Sequence, residues 1–256
     1  MLESLQQIVR EAGDISLNYF EKITHQQISY KGDVDLLTVA DQEVENFLRR
    51  ELYEKFPDVS FIGEESINEA PLEYDQAFIV DPIDGTSNFV HALPQYAVSV
   101  AFVRNNSTEL GIVYIPCSNE MYYARRGQGA YKNGTAIHVS STHKLIHALV
   151  FTGFACVRER FTPDNMELFE KIVYQIRGVR ISGSAASDCC TVAEGKADIY
   201  WELNLKPWDV AAGALIIEEA GGTVTDLSGN QDYDPTTSFL ATNSNLHRAF
   251  LELACD

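Results

Sequence analysis

The pattern of apolar residues changes near residues 140–147, and that change most limits what the chain can fold into. Before it, short apolar or alternating runs at 96–103, 110–115 and 121–125 are separated by the turn-like Arg104-Asn105-Asn106 and Cys117-Ser118-Asn119. Asn133-Gly134 supplies a further turn. A period of two broken by turn residues predicts antiparallel strands. After the change, strand-like pieces at 149–154, 179–181, 199–201 and 223–225 alternate with helical ones. One helix opens at Thr162-Pro163-Asp164, with Pro at the first helical position and Met166, Phe169, Ile172, Val173 and Ile176 as its apolar face. Others span 184–193, stopped by Gly195, and about 245–253. Between them lies a strongly apolar helix, 210–220, ended by Gly221-Gly222.

Two helices precede the antiparallel block. Leu5, Ile8, Val9, Ala12, Ile15 and Tyr19 recur at helical spacing, which predicts an amphipathic helix over about 3–21. A second runs from about 41 to 56 with Val44, Phe47, Leu48 and Leu52 on one face, and Thr38 with Asp41 resembles its capping box. Strand-like pieces follow at 59–62 and 77–80. The expected organisation is an α+β fold of helix and sheet layers sharing one cleft. A helix-plus-antiparallel-sheet part, residues 1–144, joins a βα-alternating part, residues 145–256, in one compact unit.

Composition narrows the partners. With 37 Asp and Glu against 19 Lys and Arg, the formal charge is −18. That disfavours nucleic acid, whose phosphates reward cationic surfaces. Any site for an anionic small molecule needs local cations. No apolar run approaches the roughly 20 residues of a membrane span. The opening MLESLQQIVREAGD has no basic segment followed by an apolar one. The five cysteines form no C-x-x-C pair, and an odd count without zinc-like spacing suits reduced thiols in the cytoplasm.

Acidic residues collect where elements end. Glu64 and Glu65 follow the piece at 59–62, Asp81 and Asp84 follow 77–80, Asp209 starts the apolar helix, and Asp41 opens the second helix. Each has an ordinary reading as a cap, a first-turn acid, a turn or a surface charge. Brought to one cleft they would repel, and divalent cations would be required; all-oxygen donors suit Mg²⁺, Ca²⁺ or Mn²⁺. A helix starting at Gly85-Thr86-Ser87 would aim free N–H groups at an anion. Carboxylates, metal ions and a helix N-terminus together are what phosphate-ester cleavage demands. The six histidines, His91 and His138 among them, have no ligand-like spacing.

Three segments carry a resemblance. Gly63-Glu64-Glu65-Ser66, DPIDGTSNFVHALP at 81–94, and Trp208-Asp209-Val210-Ala211-Ala212-Gly213 with Glu219-Ala220-Gly221-Gly222 are similar to the inositol monophosphatase family. The likeness runs from Lys31 and the Asp35-Leu36-Leu37-Thr38 segment with Asp41 to the end. It implies a layered α-β-α-β-α sandwich of the inositol monophosphatase and fructose-1,6-bisphosphatase type, usually a homodimer. It also implies Mg²⁺ dependence, two or three ions per site with Mn²⁺ as an alternative, and inhibition by lithium. By resemblance Glu64, Asp81 and the Ile83 carbonyl hold the first ion, and Asp81, Asp84 and Asp209 the second. Glu64 also faces a third, and Glu65 stands behind the ligands. Thr86, oriented by Asp41, activates the water that attacks phosphorus in line. Gly85 and Thr86 N–H groups take the phosphate, and Gly183, Ser184, Ala185 and Glu202 meet substrate hydroxyls.

The implied reaction is hydrolysis of a small phosphorylated metabolite. Ser87-Asn88-Phe89, with Val90-His91, resembles inositol-type members, so myo-inositol monophosphate is the expected substrate. Fructose-1,6-bisphosphate, histidinol phosphate, 3′-phosphoadenosine phosphate and NADP are the alternatives. A protein-binding role in a transcription complex is a reading of a different class.

Overall fold

A computed structural model describes residues 1–30, 36–67 and 74–255. Lys31 and Asp35, part of the family-like segment, lie outside the described residues. The first helix, α1 (Leu2–Tyr19), is followed by a small antiparallel pair, β1 (Ile28–Tyr30) and β2 (Leu36–Thr38). Helix α2 (Val39–Lys55) then begins directly after Thr38, whose hydroxyl accepts from Ala40 N at 3.1 Å and Asp41 N at 3.4 Å. Asp41 Oδ2 answers by accepting from Thr38 N at 2.8 Å, completing the expected capping box.

A seven-stranded sheet comes next, in the order β3 (Ser60–Gly63), β4 (Gln76–Asp84), β5 (Ala97–Arg104), β6 (Ser107–Ile115), β7 (Glu120–Arg125), β8 (Ala130–Lys132) and β9 (Thr135–Ala136). Only β3 and β4 pair in parallel; the remaining neighbours are antiparallel. A short helix, α3 (Thr86–Val90), leaves the end of β4. The central strands are buried on both faces, which is why their sequences read as continuous apolar runs. Phe78, Val80, Val98, Val100 and Phe102 pack under α1 and α2, against Leu5, Ile8, Val9, Val44 and Leu48. Their neighbours Ala77, Ile79, Ala101 and Val103 face the opposite layer.

That opposite layer is a helix pair. After β10 (Leu149–Thr152), α4 (Ala155–Arg158), α5 (Met166–Ile172) and β11 (Gly178–Arg180) come α6 (Ala185–Ala193), β12 (Ile199–Glu202) and α7 (Pro207–Glu219). Strands β13 (Thr223–Thr225) and β14 (Phe239–Thr242) and helix α8 (His247–Cys255) close the chain. The second sheet has the order β11-β10-β12-β14-β13. Helices α6 and α7 lie between the two sheets, so α7 is apolar on every side. Close approach there needs glycine: a Cβ on Gly111 would stand 2.6 Å from the Ala212 carbonyl, and one on Gly213 2.5 Å from Cys189 Cβ. Beyond the second sheet, Ile172, Leu246 and Phe250 cover Val150, Trp201 and Leu240. The layers run α-β-α-β-α, as the resemblance implied.

Three expectations are corrected. β4 does not stop at Val80; it runs through Asp81 and Asp84, which pair with Ser99 and Ala97 across a shift in register. Pro82, which has no N–H to give a ladder, sits in that shift. Helix α5 starts at Met166 rather than Pro163, because Asp164 Oδ1 accepts from Met166 N at 2.9 Å and Asn165 stands at the cap. Val173 and Ile176 fall outside it, and Met166 is 49% exposed, so none of the three belongs to an apolar helix face. Strands β1, β2, β8, β9 and β14 and helix α4 were not expected.

Candidate active site

One cleft of about 390 Å³ opens where β4 and β12 end and α6 and α7 begin, and Glu64, Asp81, Asp84, Thr86, Glu202 and Asp209 all line it. Ile83, Gly85, Gly183, Ser184 and Ala185 reach the same space. Asp41 borders it through Thr86. The structure therefore brings together every expected site residue. A larger hollow of about 590 Å³, with Arg49, Arg50 and Tyr53 in its wall, lies away from these carboxylates.

Each acid has its own support. Glu64 follows β3, and its N–H bonds the Val80 carbonyl at 3.1 Å, fixing it beside β4. The next residue, Glu65, directs its N–H to Glu45 Oε2 at 2.8 Å. Glu45, only 4% exposed on α2, is a buried carboxylate that the sequence reading passed over. Asp81 Oδ1 accepts from Ile83 N at 3.0 Å. Asp84 is turned onto the start of α6, where Ser184 Oγ, Ala185 N at 3.1 Å and Ala186 N at 2.9 Å donate to it. Asp209 is the third residue of α7, and its Oδ2 accepts from Lys206 N at 2.7 Å.

The electrostatics follow from burial and crowding. Asp81 is 2% exposed, and burial, then the charges of Glu64, Asp84 and Asp209, push its carboxyl well above the usual range. Burial raises Asp209 in the same way, with Asp84 the next cause. Burial takes Asp84 up to about 6 against the opposing hydrogen bonds from α6. Among the described residues no three His, Cys, Asp or Glu side chains are drawn tightly enough to form a finished metal cage. Their oxygens rest instead on backbone and hydroxyl donors. The donor chemistry still fits a hard divalent cation: oxygen only, several charges, and mutual repulsion that a cation relieves.

Thr86 holds the centre. Its hydroxyl lies 3.2 Å from Asp41 Oδ1 and 3.1 Å from the Ile83 carbonyl, and can donate to either. Burial lifts the Asp41 carboxyl to about 6. Behind Thr86, α3 is anchored by Phe89, which meets Tyr96 edge-on at 4.9 Å. Gly85 enters α3 at φ 95°, and a Cβ there would come within 3.0 Å of the Gly183 carbonyl and 3.2 Å of that of Gln95. Asn88 stitches the same backbones together, donating to Gln95 O at 2.6 Å and Ser182 O at 2.7 Å. Its place in the Asp-Gly-Thr-Ser-Asn run was the available signal.

The far end of the cleft carries Glu202, at the end of β12. Tyr200 donates to its Oε2 at 2.8 Å, and burial raises it to about 7. Gly153 lies so close that any Cβ would overlap the Glu202 carboxylate. Asp188, on α6, is 2% exposed and also lines the cleft. Nothing in its local sequence marks it, since a lone acid on a helix reads as a solvent face. His91 and His138 are exposed and take no part.

Comparison with known proteins gives one family. The model of the inositol monophosphatase family matches residues 1–256. Inositol monophosphatase 2 of Solanum lycopersicum is 39% identical over 248 residues, 94% of this chain and 93% of that protein. Nus factor SuhB of Salmonella typhimurium is 34% identical over 251 residues, 98% of this chain and 94% of that one. Among solved structures, Thermotoga maritima IMPase TM1415 superposes with a TM-score of 0.89 at 32% identity, covering 99% of this chain and 96% of that chain. With matches of that length on both sequence and fold, the chain belongs to the inositol monophosphatase family and is a phosphoric monoester hydrolase.

Proposed function

We propose that the cleft hydrolyses a small polyol phosphate, with myo-inositol monophosphate the first substrate to test. The observation that carries this reading is the Thr86 hydroxyl, held within reach of Asp41 and set beside three buried aspartates. Glu64, Asp81 and the Ile83 carbonyl would hold one Mg²⁺, and Asp81, Asp84 and Asp209 a second. Glu64 would also face a third, and Mn²⁺ suits the same oxygens. Bound there, the ions would offset the carboxylates, screen the phosphate oxygens and lower the pKa of a coordinated water.

The chain's own groups do the rest. Thr86 Oγ takes a proton from the attacking water as it passes its own to Asp41, whose Oδ1 lies 3.2 Å away. Gly85 and Thr86 N–H groups hold the phosphate at the start of α3. Ser184 and Ala185 place the leaving group, and Glu202 accepts hydrogen bonds from its hydroxyls. Asn88 keeps the phosphate loop and the 182–184 segment at one spacing.

The test is a panel of phosphate monoesters with Mg²⁺, with and without Li⁺. Fastest turnover of inositol monophosphate, lost with EDTA and depressed by lithium, supports the reading. A clear preference for a nucleotide 3′-phosphate or histidinol phosphate overturns it. We set the reaction in the cytoplasm, in a homodimer. The four described free cysteines support the compartment, and no described helix is long and apolar enough to cross a membrane. The dimer is carried over from the family, and sedimentation tests it.

A second reading is favoured by the likeness to Nus factor SuhB. A strongly acidic chain could serve as a binding partner in a transcription complex. Rescue of a deletion phenotype by an Asp209→Asn variant without phosphatase activity would favour it.

A further inference from the structure

Helix α2 sends three charged side chains to one side at successive turns: Asp41, Glu45 and Arg49. Asp41 meets Thr86 at the cleft. Glu45, a turn further on, is 4% exposed, and its two oxygens point to different places. Oε1 lies 3.6 Å from Arg49 Nη2, and the same guanidinium stands 5.2 Å over the Phe61 ring. Oε2 accepts from Glu65 N at 2.8 Å. Gly63 makes room for that contact, because a Cβ there would come within 2.3 Å of Oε2.

Glu45 thus presses on the 63–65 segment, which carries Glu64 out of β3 and into the cleft. Two successive N–H groups of that segment are fixed from two different layers. Glu64 N bonds the Val80 carbonyl of β4 at 3.1 Å, and Glu65 N bonds Glu45 of α2 at 2.8 Å. With the backbone held on both sides of the Glu64 Cα, the direction of its side chain is set.

Two roles for Glu45 can be weighed. One is half of an ion pair with Arg49. That pair is loose at 3.6 Å, and the Arg49 side chain is 36% exposed, where such pairs contribute little. The other is to orient its neighbours. Burying one more carboxylate beside an acidic cleft is costly unless its oxygens are engaged, and the Glu65 N–H is the closer of these two partners. Groups that fix the orientation of an ion's ligands change its affinity about 10–100-fold when they are lost.

We infer that Glu45 is a positioning residue for the metal site: by holding the Glu65 N–H it aims the Glu64 carboxylate at its ion, so that one face of α2 supports both the Thr86–Asp41 pair and an ion ligand. This rests on the reading of Glu64 as a ligand.

The experiment separates reach from charge. Mg²⁺ is titrated by calorimetry, without substrate, into metal-free wild type, Glu64→Gln, Glu45→Asp and Glu45→Gln. The binding event that Glu64→Gln weakens marks the ion in question. Glu45→Asp keeps the charge but shortens the arm, and should weaken that ion about tenfold. Glu45→Gln keeps the reach, and its amide oxygen still accepts from Glu65 N, so the loss should stay under about threefold. In turnover assays the Mg²⁺ needed for half the maximal rate should rise by the same factor in Glu45→Asp. Its kcat at saturating Mg²⁺ should stay within about twofold of wild type, since Glu45 stands outside the cleft lining. A loss in Glu45→Gln as large as that in Glu45→Asp would make the effect one of charge and overturn the inference. So would a Glu45→Asp variant with a lower Tm in EDTA and unchanged Mg²⁺ affinity, which shows packing alone; if Glu64→Gln still weakens the ion, the ligand reading survives. Undiminished Mg²⁺ binding in Glu64→Gln removes both.

Discussion

Asp41 divides its two oxygens between two tasks. Oδ2 closes the capping box with Thr38, and Oδ1 takes the Thr86 hydroxyl. Fold and reaction can therefore be separated by mutating its partners rather than Asp41 itself. Thr86→Ala should lower kcat by about 10²–10⁴, the range for loss of general-base assistance, with little change in Tm. Thr38→Ala should show the reverse emphasis, a loss of stability of about 0.5–2 kcal/mol from the removed cap with much of the turnover retained. Thermal melts beside steady-state rates decide the matter. Comparable effects of both variants on both readouts would mean that the two oxygens are not independent. The site was legible at this scale where acids occur in short motifs: Asp81 with Asp84, Glu64 with Glu65, and Asp209 after Pro207-Trp208. Glu45 and Asp188 were not, because a single acid in a helix carries no pattern to show that it faces inward.

Among the elements, α7 is the most demanding. It fills the space between two sheets, and Gly213 lets it approach α6 closely enough to touch Cys189. Gly213→Ala should cost about 1–3 kcal/mol through overpacking. At roughly 2–4 °C per kcal/mol for a chain of this size, that is visible by calorimetry. Helix α8 is tied to the second sheet by His247, which bridges Thr225 Oγ1 and Thr242 Oγ1, each at 3.1 Å. Burial lowers the His247 pKa below its ordinary 6.5. The unfolded chain thus takes up this proton first, and the stabilisation is whole above pH 6.5 and lost as pH falls through that value toward the folded one. His247→Gln should remove that component, so the Tm gap between wild type and variant should narrow from pH 7.5 to 5.5. A gap that stays constant would show that His247 does not titrate in this range. The antiparallel strands and α7 could be read from sequence because their patterns are local. Strand β14 could not: Phe239–Thr242 is too short to display a period, and its interior place comes from pairing on one side with β12, which lies beyond α7 and β13 in the chain. Helix α5 was misplaced because Pro163 is a plausible first helical residue, whereas the cap that begins the helix is Asn165, held inward on Gly153.

For the whole molecule, the charge of −18 and the cleft carboxylates act together. Without divalent ions the buried aspartates oppose one another and the fold bears that repulsion. Mg²⁺ at about a hundred times its Kd should stabilise the folded chain by about 2.7 kcal/mol per site, some 5–10 °C in Tm. Asp209→Asn should abolish most turnover, melt no lower than wild type in EDTA, and gain much less from Mg²⁺. A full Mg²⁺ response in that variant would remove Asp209 from the ligand set.

The stitch made by Asn88 has a broader consequence. It joins the start of α3, where we propose that phosphate binds, to the 182–184 segment, whereas residues 153–159 follow β10 of the second sheet and are tied in through Asn165 and Asn204. The proposed phosphate segment and residues 153–159 thus have separate supports in one cleft. Residues 153–159 should therefore be exchangeable as a cassette without disturbing the Thr86–Asp41 contact.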